Sequence, residues 1–165
     1  MQKALFCDLD GTLITTRSGR EFPLHGEDWK FIDKTLECIK TFYSNDYIIC
    51  IVTNQGGIQT GFVSTAAFEL KINTICAKIE KLLKLPEGTI NYNYCPNMVD
   101  YNRKPNPGMA FDLAIEHEID LRNSIMVGDM ESDKLFAYNA GINKYLNIHE
   151  VEIIEWNRIK IESVI

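Results

Sequence analysis

The chain has 165 residues, of which 45% are hydrophobic and 24% charged, and its 23 acidic against 17 basic side chains give a net charge of −6. That length suits one domain rather than two, and a core of that size buries about 70% of its unfolded surface without a disulfide or metal staple. The composition excludes a disordered or fibrous chain, and the acidic balance argues against a broad nucleic-acid-coating surface while leaving room for a small basic groove.

Residues 3–9 are an apolar run ending in acids and Gly11, which predicts a buried strand opening into a loop. Gly19, Pro23 and Gly26 punctuate residues 11–28, where a loop or small hairpin is expected from the β-prone pieces 13–16 and 20–22. Trp29, Ile32, Leu36, Ile39 and Tyr43 recur at helical spacing, so a helix is expected over 29–44 with Asp28 as its N-cap. Residues 47–52 are continuously apolar, as a strand covered on both faces of a parallel sheet would be. Ser64 can cap a second helix, striped by Phe68, Ile72, Ile75, Ile79 and Leu82 and stopping near Pro86. A third strand is expected over 90–95, then a helix from Pro107 to about Ile119. Residues 124–127 predict a fourth strand, 131–139 a helix closed by Gly141, 144–148 a fifth strand and 151–164 a terminal helix.

Strands alternating with helices predict an α/β fold, a doubly wound and mostly parallel five-stranded sheet, as one domain over 1–165. No apolar stretch approaches the length of a membrane span, and the N-terminus reaches acidic residues too soon for a signal peptide. Five cysteines, an odd number with no C-x-x-C pair, suit reduced thiols in an intracellular compartment, cytoplasmic or nuclear, rather than a secreted chain.

Ligands of such sheets bind beyond the carboxyl ends of the strands, and those positions are chemically loaded. Asp8, Asp10, Gly11 and Thr12 follow the first strand, and Thr53, Asn54, Gln55, Gly56 and Gly57 the second. Arg103 and Lys104 follow the third, and Asp129, Glu131 and Asp133 the fourth. For Asp8 and Asp10 to face one site the chain must turn between them, which Gly11 permits. Crowded carboxylates repel unless a cation sits among them, and few hard oxygen ligands suit Mg²⁺ sharing its shell with a phosphate. Thr53, Asn54 and the Gly56-Gly57 amides could hold phosphate oxygens, with Lys104 as a point charge. A carboxylate is an adequate nucleophile for phosphorus and a second carboxylic acid can serve the leaving alkoxide, so phosphomonoester hydrolysis is the chemistry this set could perform.

In these residues the sequence resembles the haloacid dehalogenase (HAD) superfamily of Asp-nucleophile phosphatases. Its four motifs are matched in order by Phe6-Cys7-Asp8-Leu9-Asp10-Gly11-Thr12-Leu13, by Val52-Thr53-Asn54-Gln55, by Arg103-Lys104-Pro105 with Pro107-Gly108-Met109, and by Val127-Gly128-Asp129 with Asp133. The resemblance implies Asp8 as nucleophile and Mg²⁺ ligand and Asp10 as general acid/base, with its backbone carbonyl on the metal. It implies Thr53 and Lys104 as phosphoryl ligands, Asp129 as the second metal carboxylate, and Asp133 as an outer ligand or orienter of Lys104. Thr12, Asn54, Arg103 and Arg17 are the accompanying candidates for substrate binding.

Thr-Asn-Gln with Arg-Lys-Pro is similar to the capless or nearly capless branch holding histidinol-phosphatase, heptose bisphosphate phosphatase and the 3′-phosphatase domain of polynucleotide kinase/phosphatase. Leu9, the run from Asp8 to Gly19, and residues 133–141 resemble the last of these, so the first expectation is a DNA 3′-end as phosphorylated substrate, bound locally. Cys95-Pro96-Asn97 has no His or second Cys nearby for the four-ligand zinc site of the heptose enzymes. No G-x-x-x-x-G-K-[ST] is present, so no kinase domain is expected in this chain.

Other readings stand beside these. A small metabolite, such as a sugar phosphate or bisphosphate or histidinol phosphate, is the alternative substrate. A non-catalytic phosphate-binding module is a third reading, but it has no reason to keep both Asp8 and Asp10. Asp133 could be a first-turn helix acid. Arg17, Arg20 and Arg103 could line a groove for a polynucleotide backbone or be ordinary surface charge. Tyr92, Tyr94 and Tyr101 could stack on a base.

Overall fold

The computed structural model describes residues 1–152. The expected helix over 151–164 therefore falls, but for its first two positions, outside the described residues. Five strands, β1 (Lys3–Cys7), β4 (Tyr47–Asn54), β5 (Ile90–Cys95), β6 (Ile125–Gly128) and β7 (Lys144–Asn147), form one parallel sheet in the order β5-β4-β1-β6-β7. Four helices connect them: α1 (Asp33–Tyr43), α2 (Thr65–Leu83), α3 (Gly108–His117) and α4 (Glu131–Ala140). A two-stranded antiparallel hairpin, β2 (Ile14–Thr15) with β3 (Lys30–Phe31), projects after β1.

The sheet is buried on both faces because its central strands are apolar at successive positions. Leu5, Cys7, Ile49 and Ile51 pack on Ile39 and Phe42 of α1 and on Phe68, Ile72 and Ile75 of α2. Ala4, Phe6, Cys50 and Val52 turn the other way, onto Met109, Ala110 and Leu113 of α3 and Phe136 and Ala137 of α4. Each Leu, Ile, Val, Phe or Met among them contributes about 1.5–3 kcal/mol by leaving water. The expected doubly wound parallel sheet is thus the observed one. The outcome for Ser64 also matches, since its Oγ accepts the Ala67 N–H at 3.1 Å, the N-cap bond that starts α2. Leu82, expected on the α2 stripe, is instead exposed.

The region before α1 departs from expectation. The second hairpin strand is Lys30–Phe31 and not 20–22, and α1 begins at Asp33 and not near Trp29. Asp28 is not an N-cap. Its carboxylate accepts the Ser18 N–H and hydroxyl at 2.9 and 2.6 Å and the Leu24 N–H at 2.8 Å, so it ties down the 18–28 loop. These bonds hold its carboxyl at about 2, below the usual carboxylate value. Pairing of Lys30–Phe31 with β2 makes that stretch extended, and Trp29 reaches the core from the hairpin, edge-on against Phe31. The hydroxyls of Tyr92 and Tyr94 donate to Asn73 and Glu69 of α2.

Candidate active site

The polar groups meet at the carboxyl edge of β1, β4 and β6. β1 ends at Cys7, and the chain then folds back, with the Leu9 carbonyl accepting the N–H groups of Leu13 and Ile14 at 2.9 and 3.0 Å. This turn separates Asp8, buried beneath it, from Asp10, exposed above it. Gly11 sits at φ +82, and a side chain there would collide with the Asp129 carboxylate, so glycine is required twice over.

Lys104 lies at the centre. Its Nζ donates to Asp8 Oδ1 and to Asp133 Oδ1, each at 2.6 Å, and to the Val52 carbonyl at 3.0 Å, which uses all three of its protons. The second oxygen of Asp133 accepts the backbone N–H groups of Asp129 and Met130 at 3.2 and 3.1 Å. Asp133 thereby joins the lysine to the first turn of α4. Gly128 leaves the space that the Asp133 carboxylate occupies. Burial alone would lower the Lys104 ammonium, but Asp8 and Asp133 override it and the net direction is up. Burial raises the Asp8 carboxyl to about 8, against the lowering pull of Lys104.

Thr12 Oγ1 is 3.1 Å from Asp8 Oδ2 and 3.1 Å from Asp129 Oδ1. One hydroxyl proton cannot serve both carboxylates at once. Asp8, Asp129 and Asp133 each bring an oxygen within 4.8 Å of the others, against a single ammonium. Three clustered carboxyl groups against one ammonium, an all-oxygen donor set, fit a hard divalent cation such as Mg²⁺. Among the described residues no other group of His, Cys, Asp and Glu side chains has that geometry.

Other sequence candidates are placed around this cluster. Thr53 is buried, and its Oγ1 accepts from Gln55 Nε2 at 2.9 Å. The same amide donates to Asp10 Oδ2 at 2.9 Å, so Gln55 connects Asp10 to Thr53. Both ends of the Asn54 amide are engaged by the backbone of Lys104, at 3.0 and 2.9 Å, and it acts here as the splint that fixes Lys104. Arg103 is half-buried; its Nη1 donates to the Asn97 carbonyl at 3.1 Å and packs over Gly56. Arg17 is not gathered into the cluster: it is exposed, and its Nε donates to the Trp29 carbonyl at 2.8 Å. Sequence reading did not foresee the linking role of Gln55. Its signal was its place in the Thr-Asn-Gln run, but its partner lies 45 residues away.

This arrangement has known counterparts. A D-glycero-α-D-manno-heptose-1,7-bisphosphate 7-phosphatase of Campylobacter jejuni is 31% identical over 90% of this chain and 83% of its own length. A bifunctional polynucleotide phosphatase/kinase of Schizosaccharomyces pombe is 32% identical over 86% of this chain, but over 35% of its own length. The structure of D,D-heptose 1,7-bisphosphate phosphatase from Bordetella bronchiseptica, complexed with magnesium and phosphate, superposes with a TM-score of 0.72 at 25% identity, over 87% of this chain and 79% of that one. The family model described as polynucleotide kinase 3 phosphatase matches residues 3–147. With that match across nearly the whole sheet, the chain belongs to the polynucleotide kinase 3 phosphatase family and is a HAD-type phosphatase.

Proposed function

We propose that residues 1–165 form a single Mg²⁺-dependent phosphomonoesterase domain that works through an aspartyl-phosphate on Asp8 and acts on a small phosphorylated metabolite of the sugar bisphosphate class. The observation that carries the chemistry is Lys104 Nζ at 2.6 Å from both Asp8 and Asp133, a positive charge fixed beside a buried carboxylate nucleophile. The substrate class rests on the relatives. The heptose bisphosphate phosphatase of C. jejuni is matched over 83% of its length, the bifunctional polynucleotide protein over 35%. This reverses the ranking expected from the local likeness of residues 8–19.

In this reading an Asp8 oxygen attacks phosphorus as the bond to the ester oxygen breaks, and Asp10 gives its proton to the leaving alkoxide. Water then attacks the same phosphorus, Asp10 takes a proton from it, and the bond to Asp8 breaks to release phosphate. Thr53 holds a phosphoryl oxygen, Lys104 supplies positive charge beside the transferring group through its contact with Asp8, and Asn54 and Asp133 hold Lys104 in place. Asp8, Asp129 and the Asp10 carbonyl would hold Mg²⁺, which supplies charge neutralisation at the transferring phosphoryl group. Asp133, which accepts from Lys104 on one oxygen and from the Asp129 and Met130 N–H groups on the other, serves as the orienter of Lys104. The five unbridged cysteines suit an intracellular setting. Among the described residues no helix is long and apolar enough to cross a membrane.

A second reading, a polynucleotide 3′-phosphatase, is favoured by the family model over 3–147. One competition assay separates the two. Purified protein with Mg²⁺ is given a heptose bisphosphate, histidinol phosphate and a 3′-phosphorylated oligonucleotide, and phosphate release is followed for each. The proposal expects the bisphosphate to give the highest kcat/KM. The highest value on the oligonucleotide would install the second reading.

A further inference from the structure

The turn carrying Asp10 belongs to no strand or helix, yet it must hold Asp10 in register with the Asp8–Asp129 pair. Gly11, at its apex, donates its N–H to the Ile14 carbonyl at 2.8 Å. Its own carbonyl is met at 2.9 Å by Nε2 of His149, a residue 138 positions along the chain and just past β7. A carbonyl only accepts, so the ring nitrogen facing it carries the proton.

The segment bearing His149 is fastened to the other side of the site. Asn147 pairs with Gly128 in the sheet, and the Ile148 N–H donates to the Gly128 carbonyl at 3.0 Å. The His149 N–H is held by Asn147 Oδ1 at 3.0 Å, which aims the ring. Residues 147–149 therefore grip the residue before Asp129 and, through the imidazole, the residue after Asp10.

We propose that His149 is a positioning residue for hydrolysis: its Nε2–H bond to Gly11 fixes the Asp10–Thr12 turn against the β6 end and so sets the distance between Asp10 and the Asp8–Asp129 pair. The inference rests on the reading of Asp8 and Asp10 given above. His149 is exposed, so its bond contributes little to stability. Displacing a reacting group by about 1 Å can nevertheless lower a rate about a hundredfold, and a loosened turn should show part of that loss.

The test uses His149→Ala, His149→Gln and the neighbouring control Glu150→Ala, assayed on an aryl phosphate with Mg²⁺. His149→Ala should lower kcat about tenfold with KM changed less than about twofold and an unchanged melting temperature. His149→Gln, whose amide reaches the same carbonyl, should restore most of it, and Glu150→Ala should behave as wild type. In the metal-free proteins, amide hydrogen exchange over residues 10–14 should quicken in His149→Ala and slow again in His149→Gln. A kcat for His149→Ala within about twofold of wild type, or a loss that His149→Gln does not recover, overturns the proposal. Wild-type protein inactive on every phosphate ester would defeat the reading of the site instead, and the exchange measurement would still decide whether His149 holds the turn.

Discussion

Asp8, Lys104 and Asp133 are at most 7% exposed, and each of their charged atoms is bonded to another group of the site. A few residues away along the same loops, Arg17 lies in solvent and Arg103 is half-buried with one described donor bond. The buried region is preorganised: its groups are held by the sheet and by one another before any substrate arrives, which is how electrostatic stabilisation avoids reorganisation during reaction. The rim is held by single bonds to backbone carbonyls and can vary without disturbing the sheet. In the proposed reading, phosphoryl chemistry belongs to the buried region together with Asp10 on the turn above it, and substrate choice to the rim, which is consistent with relatives of both substrate classes matching this chain.

The sharpest way to break this division is Asp8→Asn. It should lower turnover of any phosphate ester by at least about 10³-fold, measured with an aryl phosphate, because no other described carboxylate is placed to replace the nucleophile. Lys104→Ala should come next, with a turnover loss on the order of 10²-fold. It also leaves two buried carboxylates uncompensated, so chemical denaturation should show a stability loss of about 3 kcal/mol. At the rim, Arg103→Ala should raise KM for the natural ester about tenfold, the worth of one charge-assisted bond. Its kcat on an aryl phosphate should stay unchanged. A rim variant that abolished aryl phosphate turnover would erase the distinction between the two regions.

The last effect is one of pH. Asp8 is raised to about 8 in the fold, chiefly by burial, from an ordinary value of 3.8. The unfolded chain therefore releases this proton at lower pH than the folded one, and the contribution to stability is lost as pH rises from about 4 through about 8. The melting temperature of the metal-free protein should fall across the upper part of that window, and Asp8→Asn should flatten the fall.

Much of the buried region was legible in the sequence because its placement is local to strand ends. A strand followed by Asp-x-Asp-Gly-Thr has a glycine that permits the turn, and Gly128-Asp129 with Asp133 puts one carboxylate at a strand end and another in the first helical turn. The rim was less legible. Asp28 has the look of an N-cap, and only the folded 18–28 loop shows that its partners are Ser18 and Leu24. Arg17 reads as either a groove arginine or surface charge, and only the fold shows that its Nε meets the Trp29 carbonyl. The Asp10–Gln55 and Gly11–His149 bonds join residues 45 and 138 positions apart, where no periodicity or spacing carries a signal.

The central claim is that Asp8 itself takes the phosphoryl group. Its most direct test is to mix Asp10→Asn, which should form but only slowly hydrolyse the intermediate, with an aryl phosphate and Mg²⁺, quench in acid within milliseconds, and map the phosphoryl group by peptide mass spectrometry. The account predicts one phosphoryl group on the peptide containing Asp8, labile to hydroxylamine and absent when Asp8→Asn is added. Release of the aryl alcohol with no phosphoryl group on Asp8, or with one on another residue, would contradict it.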